Sequence, residues 1–238
     1  MPRRPKAAAQ VMSTIEKNIA KVAARIREAA QAVERDPASV GLLAVSKTQL
    51  AAAIREAAEA GMRDFGENYL QEALQKKQEL QDLDINWHFI GAIQSNKTRL
   101  IAQNFNWVHT IDRLKIAQRL SEPRAPEQTP LNICIQVNTS GENSKSGVSI
   151  EATFELAKQI SRLPQLHLRG LMTIPAAIND FEQQRQPFRL LRELKDEIQS
   201  QGIELDTLSM GMSNDMEAAI AEGSTIVRIG TAIFGARN

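Results

Sequence analysis

Leu42-Leu43-Ala44-Val45-Ser46-Lys47-Thr48 sets the reading of this chain: four apolar residues run into a short polar segment, and a helical pattern follows at once. A short apolar run bounded by helical segments reads as a buried strand. Lys47 then stands where that strand leaves the core. An ammonium with apolar neighbours on one side loses hydration, so its pKa falls and the neutral amine becomes a nucleophile toward a carbonyl carbon. The plainer reading is a lysine that snorkels out of a strand end.

The same alternation extends on both sides. Upstream, Val11, Ile15, Ile19, Val22, Ile26, Ala30 and Val33 recur at helical spacing, and Ser13 with Glu16 predicts a capping box. Downstream, 49–60 reads as a helix with Gly61 as its C-cap, 62–68 as a strand and 69–82 as a polar helix. Further strands are expected at 86–91, 107–110, 131–138, 166–174, 205–210 and 225–229. Asp112 is the expected cap of the helix after the fourth strand, and 150–162 is helical. Residues 179–201 should kink or restart near Pro187, 213–223 is helical from Ser213, and a short helix ends the chain.

Eight strand candidates, nearly all followed by a helix and none paired as a hairpin, argue for a parallel sheet. Eight units in 238 residues argue for closure into a (β/α)8 TIM barrel with an additional N-terminal helix. An open doubly wound sheet is the alternative, but no Gly-x-Gly-x-x-Gly follows the first strand. Residues 1–10 are expected to be a tail and 11–238 one barrel, with the proline-containing stretch 121–130 a connector inside it.

Composition excludes several classes. Lys+Arg 29 against Asp+Glu 28 gives a formal charge of +1, with basic residues scattered and aromatics at 4%. That argues against nucleic-acid and anionic-membrane partners. The single cysteine, Cys134, lies in a strand and reads as a small buried hydrophobe. A lone thiol, no signal-like apolar core and no membrane-length segment fit a cytoplasmic protein, and a lone barrel fits a monomer.

In such barrels the site is built at the C-terminal ends of the strands. The polar and glycine-rich segments of this chain fall there: Ser46-Lys47-Thr48, Gly66-Glu67-Asn68, Gly91 to Lys97, the 139–147 loop, Gly211-Met212-Ser213 and Gly230-Thr231. After the last two strands, glycines and hydroxyls beside helix starts offer an anion site; simple capping by Ser213 is the compatible alternative. In Thr225-Ile226-Val227-Arg228-Ile229-Gly230, alternation puts Arg228 on the face of Ile226 and Gly230. If that face points inward, the guanidinium needs an acceptor there. His88, His109 and His167 are far apart with no helical partner, so no metal site is expected.

The blocks Ala44-Val45-Ser46-Lys47-Thr48, Phe65-Gly66-Glu67-Asn68-Tyr69, Trp87 to Lys97, Val137 to Gly147, Gly170-Leu171-Met172, Leu208 to Asp215 and Arg228-Ile229-Gly230-Thr231 together resemble the pyridoxal phosphate homeostasis protein family. They run in order over nearly the whole chain beyond residue 10; a leucine is more usual where Ile93 stands. The resemblance implies a barrel like the cofactor-binding domain of alanine racemase (fold-type III). It implies a Schiff base between Lys47 and pyridoxal 5′-phosphate (PLP). It also implies Ser213, Gly230 and Thr231 at the phosphate, Arg228 facing the pyridine nitrogen, and Asn68 beside the ring. Glu142 and Lys145 lie in a family loop.

PLP chemistry beyond the lysine adduct needs a protonated ring nitrogen as electron sink. An arginine there disfavours that protonation. Racemisation survives such a weak sink, but it needs an acid–base group on each face of the substrate, and this chain has one tyrosine, Tyr69. The expected function is therefore vitamin B6 homeostasis without substantial catalysis, by delivery to PLP-dependent apo-enzymes, by buffering, or by signalling to a regulatory protein. The alternatives are a PLP-dependent amino-acid racemase, and a Schiff-base aldolase without PLP.

Overall fold

Eight parallel strands close on themselves in chain order: β1 (Gly41–Val45), β2 (Asp64–Glu67), β3 (Asn86–Phe89), β4 (Trp107–Ile111), β5 (Leu131–Gln136), β6 (Leu166–Met172), β7 (Thr207–Ser209) and β8 (Ile226–Ile229). The closing pair is β1 with β8, in register at Leu43 opposite Arg228 and Ala44 opposite Ile229. The computed structural model describes residues 12–142 and 145–235; Val11 and the expected 1–10 tail lie outside them. Around the barrel stand α1 (Thr14–Gln31), α2 (Ala51–Glu59), α3 (Leu70–Glu79), α4 (Thr98–Asn104), α5 (Leu114–Ser121), α6 (Ile150–Ile160), α7 (Phe181–Ser200), α8 (Met216–Ala221) and α9 (Thr231–Phe234). This is the (β/α)8 barrel with an N-terminal helix that the alternation predicts.

Burial follows from closure. Strands covered on both faces carry near-continuous apolar runs, and Leu131, Ile133, Cys134 and Ile135 of β5 are all fully buried. Burial pushes the Cys134 thiol up to about 12, which keeps it an inert hydrophobe. The extra helix α1 begins with the expected capping box between Ser13 and Glu16. It buries Val22, Ile26 and Ala30. Its polar face reaches the last two units: Asn18 donates to the Ile233 carbonyl at 2.9 Å, and Arg25 pairs with Glu217 at 2.7 Å. Among the described residues no helix is long and apolar enough to cross a membrane.

Several local expectations need correction. Asp112 does not cap the next helix; Arg113 holds the N-cap position and binds the Asp112 carboxylate instead. The helix after β7 starts at Met216, not Ser213, because Asp215 Oδ1 accepts the Met212 N–H at 2.5 Å and closes a turn first. Residues Phe181–Ser200 form one helix with Pro187 inside it, so α7 does not restart there. Arg185 and Arg189, on either side of it, both donate to the fully buried Glu222 carboxylate at the end of α8, joined by Arg192. Those ion pairs tie both halves of the helix, on either side of the proline, to one neighbour.

Candidate functional site

A cavity of about 460 Å³ opens at the C-terminal ends of the strands, within the range of small-ligand pockets. Its lining includes all six residues singled out from the sequence: Lys47 after β1, Asn68 after β2, Ser213 after β7, Arg228 on β8, and Gly230 and Thr231 at the start of α9. Val45, Ile90 and Ile174 supply apolar walls between the polar ends. Residues Thr139, Ser140, Gly141, Lys145 and Gly147 line a separate cavity. The Glu142 carbonyl accepts from Asn138 Nδ2 at 2.9 Å and from the Lys145 N–H at 3.0 Å.

Arg228 points inward, the orientation that alternation alone left open, and is buried. Its Nη1 donates to the Ser209 carbonyl at 2.5 Å and to Ser209 Oγ at 2.9 Å, and Nη2 donates to the Thr173 carbonyl at 2.9 Å. These three bonds leave guanidinium N–H groups for a ligand, since arginine carries five. Burial lowers its pKa to about 10, so it stays cationic at neutral pH, supported by Asp215 in the cavity wall.

Ser209 passes the contact on. His109 Nδ1 lies 2.8 Å from Ser209 Oγ, His109 Nε2 2.9 Å from His88 Nδ1, and His88 Nε2 3.1 Å from Asp64 Oδ1. Because β4 and β7 are not neighbours, the His109–Ser209 contact crosses the barrel interior. Burial lowers the pKa of both imidazoles, that of His109 well below 6.5, so both are neutral at pH 7. The Asp64 carboxylate, held ionised against its own burial by the His88 N–H, can only accept. That fixes every proton. Arg228 donates to Ser209, Ser209 to His109, His109 to His88, and His88 to Asp64. Far apart in sequence, the two histidines are buried and joined to each other. Their positions on strand faces were a signal, but nothing local pairs two strands' interiors.

The anion end is shaped by backbone. Gly211 has φ +97, and a Cβ there would meet Ala219 Cβ at 2.6 Å, so only glycine lets the chain after β7 turn back tightly. Arg25 of α1 donates to the Ser213 carbonyl at 3.1 Å and so holds this segment from outside the barrel. The first N–H groups of α9, at Thr231 and Ala232, have no intrahelical acceptor by helix geometry. Gly91 plays the matching part at the other side: a Cβ there would sit 2.1 Å from the Asn68 carbonyl. The loop after β3 can therefore press Asn68 toward the cavity. Asn68 Oδ1 is buried with no hydrogen-bond partner among the described residues, an acceptor that a ligand hydroxyl or N–H would satisfy.

The lining thus gathers one amine, one buried guanidinium, an unpartnered amide oxygen and hydroxyl and N–H donors around a cavity with apolar walls. The alanine racemase N-terminal domain family matches residues 17–238. A pyridoxal phosphate homeostasis protein of Pseudomonas aeruginosa is 65% identical over 227 residues, covering 95% of this chain and 97% of that one. One from Escherichia coli is 51% identical over 230 residues, covering 95% and 98%. The structure of PipY from Synechococcus elongatus, solved with PLP bound, is 38% identical with a TM-score of 0.83, over 93% of this chain and 100% of that one. Alanine racemase of Corynebacterium glutamicum shares the fold alone, at 18% identity and a TM-score of 0.69. The chain belongs to the pyridoxal phosphate homeostasis proteins, a family built on the alanine racemase N-terminal barrel.

Proposed function

We propose that this protein holds PLP covalently on Lys47 and serves vitamin B6 homeostasis as a carrier, buffer or regulator, without substantial turnover of substrate. The observation that carries the reading is the joint lining of one cavity by Lys47, the cationic Arg228 and the hydroxyl and N–H groups of Ser213 and Thr231. PLP, when bound, supplies an aldehyde carbon that takes up an amine nitrogen as C=N with loss of water. Lys47 is the amine. Ser213, Gly230 and Thr231 bind the phosphate, and Asn68 accepts from a polar group on the ring. Arg228 donates an N–H toward the ring nitrogen and, being fixed as a cation, keeps that nitrogen unprotonated.

What separates carrier from racemase is the second acid–base group, because racemisation tolerates a weak electron sink but needs a proton-transfer group on each face of the substrate. A ring with no proton at nitrogen is a weak electron sink. Tyr69, the chain's only tyrosine, lines a neighbouring cavity and is 56% exposed. A closed barrel also has no unpaired sheet edge, which supports a monomer, and the balanced charge and reduced cysteine support a cytoplasmic setting. Apo-enzymes that require PLP, or a regulatory protein, are the proposed protein partners.

The test is spectroscopic. Purified protein supplied with PLP should turn yellow, and borohydride should fix the label on the peptide carrying Lys47. A label on another lysine, or a colourless protein, rejects the reading. The loaded protein should leave the optical rotation of L-alanine unchanged; loss of rotation at ordinary enzyme rates makes it a racemase.

A further inference from the structure

Behind Lys47 lies a buried ionic cluster that the binding reading does not use. Ser46 is fully buried, and its Oγ donates to Glu67 Oε1 at 2.7 Å. Its carbonyl accepts from Lys76 Nζ at 2.8 Å. Lys76 also donates to Glu67 Oε1 at 2.8 Å and to Glu72 Oε1. Three acceptors therefore meet the three N–H bonds of one ammonium. Glu72 Oε1 accepts in turn from the Thr48 N–H at 2.6 Å. Thr48 has φ +65, a region that a β-branched residue occupies only where its surroundings hold it.

The Ser46 carbonyl and the Thr48 N–H belong to the two peptide groups that flank the Cα of Lys47. Lys76 holds one and Glu72 holds the other, and the two side chains form a single i,i+4 ion pair on α3. A cluster that only tied α3 to the sheet would need its charges matched, which Glu67 with Lys76 already does. It would not need to hold the chain on both sides of one residue.

We propose that Glu72 and Lys76, backed by Glu67, are positioning residues for Lys47: they fix its backbone from both sides so that its amine is launched toward the aldehyde end of the cavity. The proposal rests on the reading of Lys47 as the PLP anchor.

Two ligands separate positioning from general packing. PLP can join an amine, whereas pyridoxine 5′-phosphate carries an alcohol in place of the aldehyde and cannot. In full-length protein, stopped-flow absorbance gives the rate of capture by Lys47, and calorimetry gives the affinity for pyridoxine 5′-phosphate. Glu72→Ala should slow capture about tenfold, short of the roughly hundredfold that a 1 Å misplacement of a reacting group can cost. It should leave pyridoxine 5′-phosphate affinity within about twofold, because the rest of the lining is untouched. Glu72→Gln, which retains a carbonyl acceptor for Thr48, should recover most of the rate. Unchanged capture by Glu72→Ala overturns the proposal, as does an equal loss for both ligands. Should Glu72→Ala fail to fold, Thr48→Gly keeps the N–H and loosens the backbone; it should slow capture by a smaller factor, and a wild-type rate there overturns the proposal. Lys47→Ala tests the underlying reading by itself: borohydride-fixed label at another lysine, to the wild-type extent, rejects the anchor whatever the Glu72 variants do.

Discussion

Two buried polar networks end at the cavity, one behind β1 and one across the barrel to β8, and they grip different parts of the residues they serve. The cluster of Glu67, Glu72 and Lys76 bonds to the backbone around Lys47. The relay from Asp64 through His88, His109 and Ser209 bonds to the side chain of Arg228. On the proposed reading Lys47 is the reacting amine, and fixing its backbone still lets its side chain turn toward a ligand. A residue that sets the electrostatics of a ring serves best when its side chain cannot move. The networks also differ in physics: the first concentrates charge in one small volume, while the second is a neutral chain with a cation at one end and a carboxylate at the other.

The charged network should be the costlier one to break. Lys76→Met leaves Glu67 buried without its counter-ion, and one Glu67 oxygen already lacks a partner among the described residues. Breaking a buried pair by removing one partner costs about 3–5 kcal/mol. For a domain of this size that is a fall in Tm of roughly 10 °C. Adding Glu67→Gln should restore part of the loss in urea unfolding, since the stranded charge goes with it. A double variant no better than the single would show that the network's value lies in shape rather than charge.

Ser209→Ala should cost less. It removes one acceptor from Arg228 and the donor to His109 Nδ1, and loss of a bond to a charged group is worth about 1.5–3 kcal/mol. The side chain of Arg228 keeps the carbonyls of Ser209 and Thr173. The specific readout is the absorbance band of bound PLP, which should shift with the looser guanidinium. Lys76→Met should leave that band in place and slow its appearance, so a reversed pattern would break the division of labour between the two networks.

The barrel was legible from local pattern, and so were Lys47, Ser213, Gly230 and Thr231 at strand ends and helix starts; Asn68 came only with the family resemblance. Strand–helix alternation gives the sheet, while period-two alternation only groups Arg228 with Ile226 and Gly230, and closure of the barrel decides that this face points inward. The networks were not legible, because their contacts join distant strands: His109 and Ser209 are 100 residues apart. Lys76 sits in a helix whose composition reads as solvent-facing, and only the Ser46 carbonyl and Glu67, brought in by two strand ends, make burial tolerable there. Helix starts failed for a related reason. Asp112 and Ser213 have the residue type of a cap, but their neighbours Arg113 and Asp215 engage first.

Acid should act through the relay. Both imidazoles are held below 6.5 by burial, so between that value and their folded pKa the unfolded chain binds protons that the folded chain refuses. Stability is then full above pH 6.5 and falls as pH drops below it, at up to about 1.4 kcal/mol per pH unit for each such histidine. Urea unfolding between pH 7.5 and 5.5 should show this slope, and a His88→Gln variant a shallower one. Nitrogen-15 spectra at pH 7.5 should report bare Nδ1 atoms on both rings. A protonated Nδ1 on His109 would reverse the chain and leave Ser209 free to turn away.

The smallest effect is expected outside both networks, at Arg25. Its pair with Glu217 is about 40% exposed on each side, and pairs of that kind contribute about 0.5 kcal/mol or less once solvent screens them. Arg25→Ala should therefore barely move the unfolding midpoint. The same guanidinium also holds the Ser213 carbonyl, so the variant should still weaken binding of pyridoxine 5′-phosphate by about twofold to threefold. Capture by Lys47, measured at saturating PLP, should keep its wild-type rate, because neither network touches α1. A slower capture step in this variant would mean that the anion end also steers the aldehyde, and that Lys47 is positioned from three sides rather than by α3.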